Sequence, residues 1–275
     1  GQDRCRVRTD RARTAQDLRR RPDGRDPPGP HAHVAAPRLS PGRDHAARRL
    51  LVVLNRRAAG TGSNAGFAGG TVVAGGTLSA AGQTNLGQGA LTLDGGTLKV
   101  TGSGASLSNA LSVGTGGGTL ASDGNDVTLS GAISGSGALT KTGAGTLILT
   151  GASSGAAFTT TVSAGALSVA ADANLGGGRV TLNGGTLTLT GAGADIDNLL
   201  ELGSGGGTVS NAVAATLSGV ISGSGALTKD GAGTLTLTGN NTYAGATTIS
   251  NGSLTISGGS SLSDGRGIRR GWIAP

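Results

Sequence analysis

Aromatic side chains are nearly missing from this chain. Phe, Tyr and Trp together number four among 275 residues, and there is no Met. A core organised around rings is therefore excluded, and any interior must be thin layers of Leu, Val, Ile and Ala. Cys5 is the only cysteine, which excludes an intramolecular disulfide framework and a cysteine-based zinc set. No run approaches about 18 apolar residues, so no helix of this sequence is expected to span a membrane. The stretch Leu50–Leu54 (LLVVL) follows Arg48 and Arg49. It is shorter than the about 7–15 apolar residues of a signal peptide, and none is read there. The three histidines, His31, His33 and His45, all precede residue 58. No Ser–His–Asp triad can assemble in the rest of the chain. In the segment that holds them they read as solvated side chains, not metal ligands.

Charge is unevenly spread. Residues 1–57 carry 15 Arg and six Asp, a net of +9, and residues 58–275 carry three Lys and four Arg against eight Asp and one Glu, a net of −2. The whole-chain net of +7 thus belongs to the first segment. Its basic residues are not interleaved with aromatics, and no nucleic-acid partner is expected. Residues 1–57 show neither a 3.6 nor a 2 period and read as a disordered Arg/Pro-rich segment. Its abrupt Arg/Pro/Ala/Gly/Asp composition is what a GC-rich coding region gives out of frame. Residues 265–275 break away similarly and read as an unstructured tail.

Glycine is abundant, at 55 residues, without the every-third-residue period of collagen. What orders the chain is repetition. Ser130–Gly151 (SGAISGSGALTKTGAGTLILTG) returns as Ser218–Gly239 (SGVISGSGALTKDGAGTLTLTG), 88 residues later, with 19 of 22 positions identical. Copies run from about 73 to 157 and from about 162 to 246, and a third begins at Ile249. The offset falls by one at Gly131/Gly219 and again at Val162/Ile249, drifts that belong in turns. A long repeat of short apolar segments and glycine turns stacks unit upon unit.

Within each copy the period is two. In Thr234–Thr238 (TLTLT), Leu235 and Leu237 share one face and three Thr the other. Thr146–Thr150, Thr186–Thr190 and Thr97–Thr101 repeat the pattern, and β-branched Thr suits an extended backbone. Asp94-Gly95-Gly96 and Asn183-Gly184-Gly185 could close antiparallel hairpins. The long repeat, the turn spacing and the ring-free interior favour a β-solenoid over 58–264. At roughly 20–22 residues per coil, one copy would make about four coils.

The segments Leu129–Ser168 and Leu217–Ile256 carry a resemblance. GSGALTK at Gly135–Lys141 and Gly223–Lys229, GAGTLTLTG at Gly231–Gly239 and NTYAGATTISNGSL at Asn241–Leu254 occur in order. They resemble the autotransporter-associated β-strand repeat, also called the passenger-associated transport repeat. The first copy departs at Ser154–Thr160 (SGAAFTT), where Phe158 stands in for Tyr243. The resemblance implies an all-β fold, a right-handed parallel β-helix, in a bacterial autotransporter passenger. It implies export across the envelope of a Gram-negative bacterium through an outer-membrane β-barrel, with the repeats aiding translocation and folding. A stretch without cysteine suits a chain that crosses an envelope unfolded. Too few residues follow Gly259 for the family's barrel, so the chain reads as a passenger fragment.

No catalytic, cofactor-binding or metal-binding residues are assigned. Ser122–Leu129 (SDGNDVTL) looks like half of a calcium-binding coil, but Asp123 and Asp126 have no counterparts in SNAVAATL at Ser210–Leu217. Asp195, Asp197 and Glu201 form the one acidic cluster and become Ser106, Ser108 and Ser112 in the first copy. Thr-x-Thr pairs of the kind that bind ice fall on only some segments. The expectation is a secreted or surface-exposed structural, adhesive rod that is not an enzyme. The alternatives are the stalk of an enzyme passenger, or a calcium- or ice-binding solenoid.

Overall fold

A computed structural model describes residues 51–53, 57–60, 62–257 and 269–270, all within the compact unit Ala32–Pro275. Almost every regular element is a strand of three to five residues, and every strand pair is parallel. The antiparallel alternative is thereby removed. Asp94 and Asn183 instead sit at corners, where each side-chain Oδ1 accepts a hydrogen bond from the next coil, from Gly116 N at 2.7 Å and Gly205 N at 2.9 Å.

Three faces make each coil. The first begins as a five-stranded sheet from Leu51–Val53 to Ile133–Gly135. The second is a nine-stranded sheet from Arg57–Gly60 to Ile221–Gly223, and the third a nine-stranded sheet from Ala105–Leu107 to Arg269–Arg270. A four-stranded sheet, from Ala194–Ile196 to Ser253–Ile256, takes the place of the first face in chain order after an interruption. Nine strands at about 4.8 Å make a column on the order of 40 Å. The ladder reaches back before residue 58, since Leu51–Val53 pairs with Thr71–Val73. It also includes Arg269–Arg270, inside the span read as a tail. Residues 1–50, with Cys5 and the three histidines, lie outside the described residues.

Alternation decides which side chains enter. On the second face Leu78, Leu98 and Leu120 stack in register below Lys141, with Val162, Leu182 and Leu202 above. On the third, Val127, Leu147, Leu167, Leu187 and Val209 lead up to Lys229. All of these are buried. Glycine is obligatory where coils touch. Gly135 and Gly223 have φ of 100° and 105°, and a Cβ there would strike Val113 O or Leu202 O of the neighbouring coil.

The sequence repeat and the coil do not match in length. Register partners lie 20 apart at Thr71/Leu91, 21 at Thr119/Thr140 and 22 at Thr97/Thr119. Gly118–Ser122 lies on the second face and its equivalent Gly207–Asn211 on the third. Between them the chain makes four coils and one further face, not the whole four coils expected. Every copy is therefore turned one face on from the last.

Replacing Leu187 with Ala, in the middle of the third-face column, is expected to cost about 2–5 kcal/mol. Replacing the outward Thr188 with Ala should stay within about 0.5 kcal/mol. Denaturant melts of the two variants check this.

Candidate functional site

The most distinctive chemistry lies inside the column. In Ala138–Thr142 alternation puts Lys141 on the same side as Leu139, and in Leu227–Asp230 it puts Lys229 beside Leu227. Both lysines are fully buried. Their stems continue the aliphatic stack while each ammonium reaches a corner. Lys141 Nζ donates to Thr142 O (2.9 Å), Gly143 O (2.8 Å) and Ala164 O (3.2 Å). Lys229 Nζ donates to Asp230 O (2.6 Å), Gly231 O (2.6 Å) and Asn251 O (3.2 Å). Three donors meet three carbonyls, the full capacity of an ammonium. Two carbonyls come from the lysine's own corner and the third from the coil that follows. Each lysine therefore completes its hydrogen bonds only once the next coil has docked.

Burial pushes the Lys141 ammonium down to about 8, against an upward pull from Asp123 and Asp126. Burial also lowers Lys229, opposed by Asp230. The period-two reading contained the signal for both residues, because Leu-Thr-Lys places Lys on the leucine side. Its charge argued for solvent, and the corner carbonyls that accept it come from a different stretch of chain.

A second polar element fixes the corners. Asn109 Nδ2 donates to Gly87 O and Gly89 O, and Asn198 Nδ2 to Gly176 O and Gly178 O, at 2.6–2.9 Å. Ser153 Oγ accepts from Ile133 N at 2.9 Å, and Asn241 Oδ1 from Ile221 N at 2.8 Å. The two rings buried among the described residues differ. The Tyr243 hydroxyl lies 2.6 Å from Thr247 Oγ1. Phe158 has no hydroxyl, and Thr160, the counterpart of Thr247, buries an oxygen without a partner.

Of the carboxylates singled out in the sequence, Asp123, Asp126 and Glu201 are engaged in structural contacts. Asp123 pairs with Lys99. Asp126 Oδ1 accepts from Thr146 N at 2.8 Å, and that hydrogen bond holds its carboxyl below the usual range. Glu201 pairs with Arg179 at 3.0 Å on the second face. Asp195 lies on another face, so Glu201 stands apart from Asp195 and no three-carboxylate group forms, in line with their reading as part of a solvated turn. The chain instead brings Asp172 to Asp197, whose N–H donates to Asp172 Oδ1 at 3.2 Å. Burial raises the Asp172 carboxyl, and the charges of Asp197 and Asp195 add to the rise. Among the described residues no group of three His, Cys, Asp or Glu is placed to hold a metal ion. Among them, too, no helix is long and apolar enough to cross a membrane.

Threonines do line up more regularly than the sequence suggested. Thr77, Thr97, Thr119, Thr140, Thr161 and Thr181 stand in register on the second face. The parallel row two residues on holds Ser79, Lys99, Ala121 and Thr142, so the threonine row is one side chain wide.

A family profile, the passenger-associated transport repeat, matches residues 61–80, 139–169 and 227–256. The chain carries an autotransporter passenger repeat region. The second and third matches cover both lysine corners, and the first adds a copy around Phe67 that the sequence reading had missed. No curated protein and no solved structure matches the chain. The non-strand segments of the three passenger repeats, 62–70, 151–158 and 239–246, fall at the places of the third, first and second faces in turn. The repeats imply a translocator as the partner of this region.

Two outcomes follow from the interior. The folded pKa of Lys141 lies below the 10.5 of an unfolded lysine. Between about 8 and 10.5 the unfolded chain therefore binds more protons, and stability should rise with pH. Denaturant midpoints across that window should climb in the native chain and stay flat in a Lys141→Met, Lys229→Met double variant. Thr160→Val, which removes an unpaired buried hydroxyl, should stabilise by about 1 kcal/mol, whereas Thr247→Val should destabilise by a similar amount. Thermal melts distinguish the two signs.

Proposed function

We propose that this region is a secreted or surface-exposed structural rod with an adhesive role, whose repeats help the passenger cross the outer membrane and fold outside. The observation that carries the reading is the lysine corner. Each ammonium is completed by a carbonyl of the following coil, so a coil is locked only by the arrival of its neighbour. Such nearest-neighbour coupling lets a solenoid grow coil by coil from one docked end. The carboxylates support the same reading, because Asp123, Asp126 and Glu201 are taken up in contacts that bridge coils. The rotation of successive repeats by one face presents equivalent motifs around the column, not along one side. That favours contacts gathered from several directions, where weak binding multiplies through multivalency, over recognition of a flat lattice such as ice.

The test uses the passenger joined to an outer-membrane barrel and displayed on a Gram-negative cell. Deleting residues 227–246, one coil that includes a lysine corner, is expected to lower surface display severalfold. Deleting residues 180–199, a coil of equal length without one, should leave display near the native level. Equal display by both deletions would remove the transport role. The displayed native rod should bind host-cell monolayers better than the barrel alone, and adhesion no greater than that of the barrel would remove the adhesive role.

A further inference from the structure

We infer that Asn251 is a site of spontaneous, structure-directed deamidation. The chain holds two Asn-Gly pairs, Asn183-Gly184 and Asn251-Gly252, and the fold treats them in opposite ways. At the first, both reacting groups are tied to the next coil. Asn183 Oδ1 accepts from Gly205 N at 2.9 Å, and Gly184 N donates to Gly206 O at 2.7 Å. At the second, Gly252 N donates to Oδ1 of Asn251 itself at 2.8 Å. The nucleophilic nitrogen therefore sits against the side-chain amide that it would attack. Gly252 has φ of 73° and no side chain to crowd the ring closure, and Asn251 is exposed, so water reaches it.

The lysine corner adds an electrostatic device. Lys229 Nζ donates to Asn251 O at 3.2 Å, the carbonyl of the peptide whose nitrogen reacts. A cation on that oxygen draws electron density from the Gly252 N–H and stabilises the anion formed when it loses its proton. Lys229 acts through the peptide and is a positioning residue. The equivalent lysine in the previous copy, Lys141, meets Ala164 O at the same distance. Alanine offers no side-chain amide, so that corner is an unreactive twin.

The step balances with water alone. Solvent hydroxide takes the Gly252 amide proton, and the nitrogen forms a bond to Asn251 Cγ. The Cγ–Nδ2 bond breaks, and Nδ2 takes a proton from solvent and leaves as ammonia. Water then opens the succinimide at either carbonyl, giving aspartate or isoaspartate. No group is oxidised or reduced. The product places a carboxylate in the corner of Lys229, which makes no ion pair among the described residues.

The experiment ages the purified full chain at mildly alkaline pH. It follows both asparagines by peptide mass spectrometry and isoaspartate by enzymatic methylation. In the folded chain Asn251 should convert roughly tenfold or more faster than Asn183, and in urea the two rates should converge. Lys229→Met should slow Asn251 and leave Asn183 unchanged. Should that variant unfold, the folded-against-urea comparison of the native chain decides alone. Equal rates in the folded chain, or an intact Asn251 beside a reacting Asn183, would overturn the assignment.

Discussion

Parallel pairing at one coil per strand spacing places each residue directly over its register partner in the next coil. An interior position is thus packed mainly against its own kind, about 4.8 Å away. Leucine and valine tolerate that stacking, and large rings do so only where the ladder is interrupted. This is why Leu78, Leu98 and Leu120 form one column and Leu147, Leu167 and Leu187 another. It is also why the buried rings Phe158 and Tyr243 lie in segments outside the strands. Hydrophobic burial supplies the driving force, but the ladder fixes which side chains share it.

The same constraint explains how a cation can occupy the core. A lysine in an aliphatic column presents its stem to the leucine beside it and its head to the corner, where strand pairing ends and carbonyls are free. The two corners at Lys141 and Lys229 satisfy the ammonium in the same way. Asn109 and Asn198 serve the opposite need, donating to carbonyls that the glycine-rich corners leave unpaired. Polar residues inside this solenoid therefore occupy the places where the backbone ladder cannot satisfy itself.

A repeat that exceeds four coils by one face has consequences for display and for evolution of the sequence. Equivalent motifs wind around the column, so a change made in every copy alters all faces and not one. Insertions are absorbed at corners, where register spacing varies between 19 and 22 residues without disturbing the strands. The two drifts in repeat offset fall in such segments, ahead of Val127 and within 151–158.

The sequence by itself determined the all-β class, the alternation of Leu and Thr, the glycine corners and the family. Each is written locally, in two-residue periods or in a motif repeated nearly intact. The parity of Lys141 with Leu139 was equally local, yet its acceptance inside the core was not, because Ala164 O arrives from a coil 23 residues on. Asp172 reached Asp197 in the same non-local way, while Glu201 was carried to another face. The face on which any motif stands was decided by the tertiary structure alone. It depends on the summed lengths of all intervening corners, and one added residue in a turn shifts where every later strand is laid down.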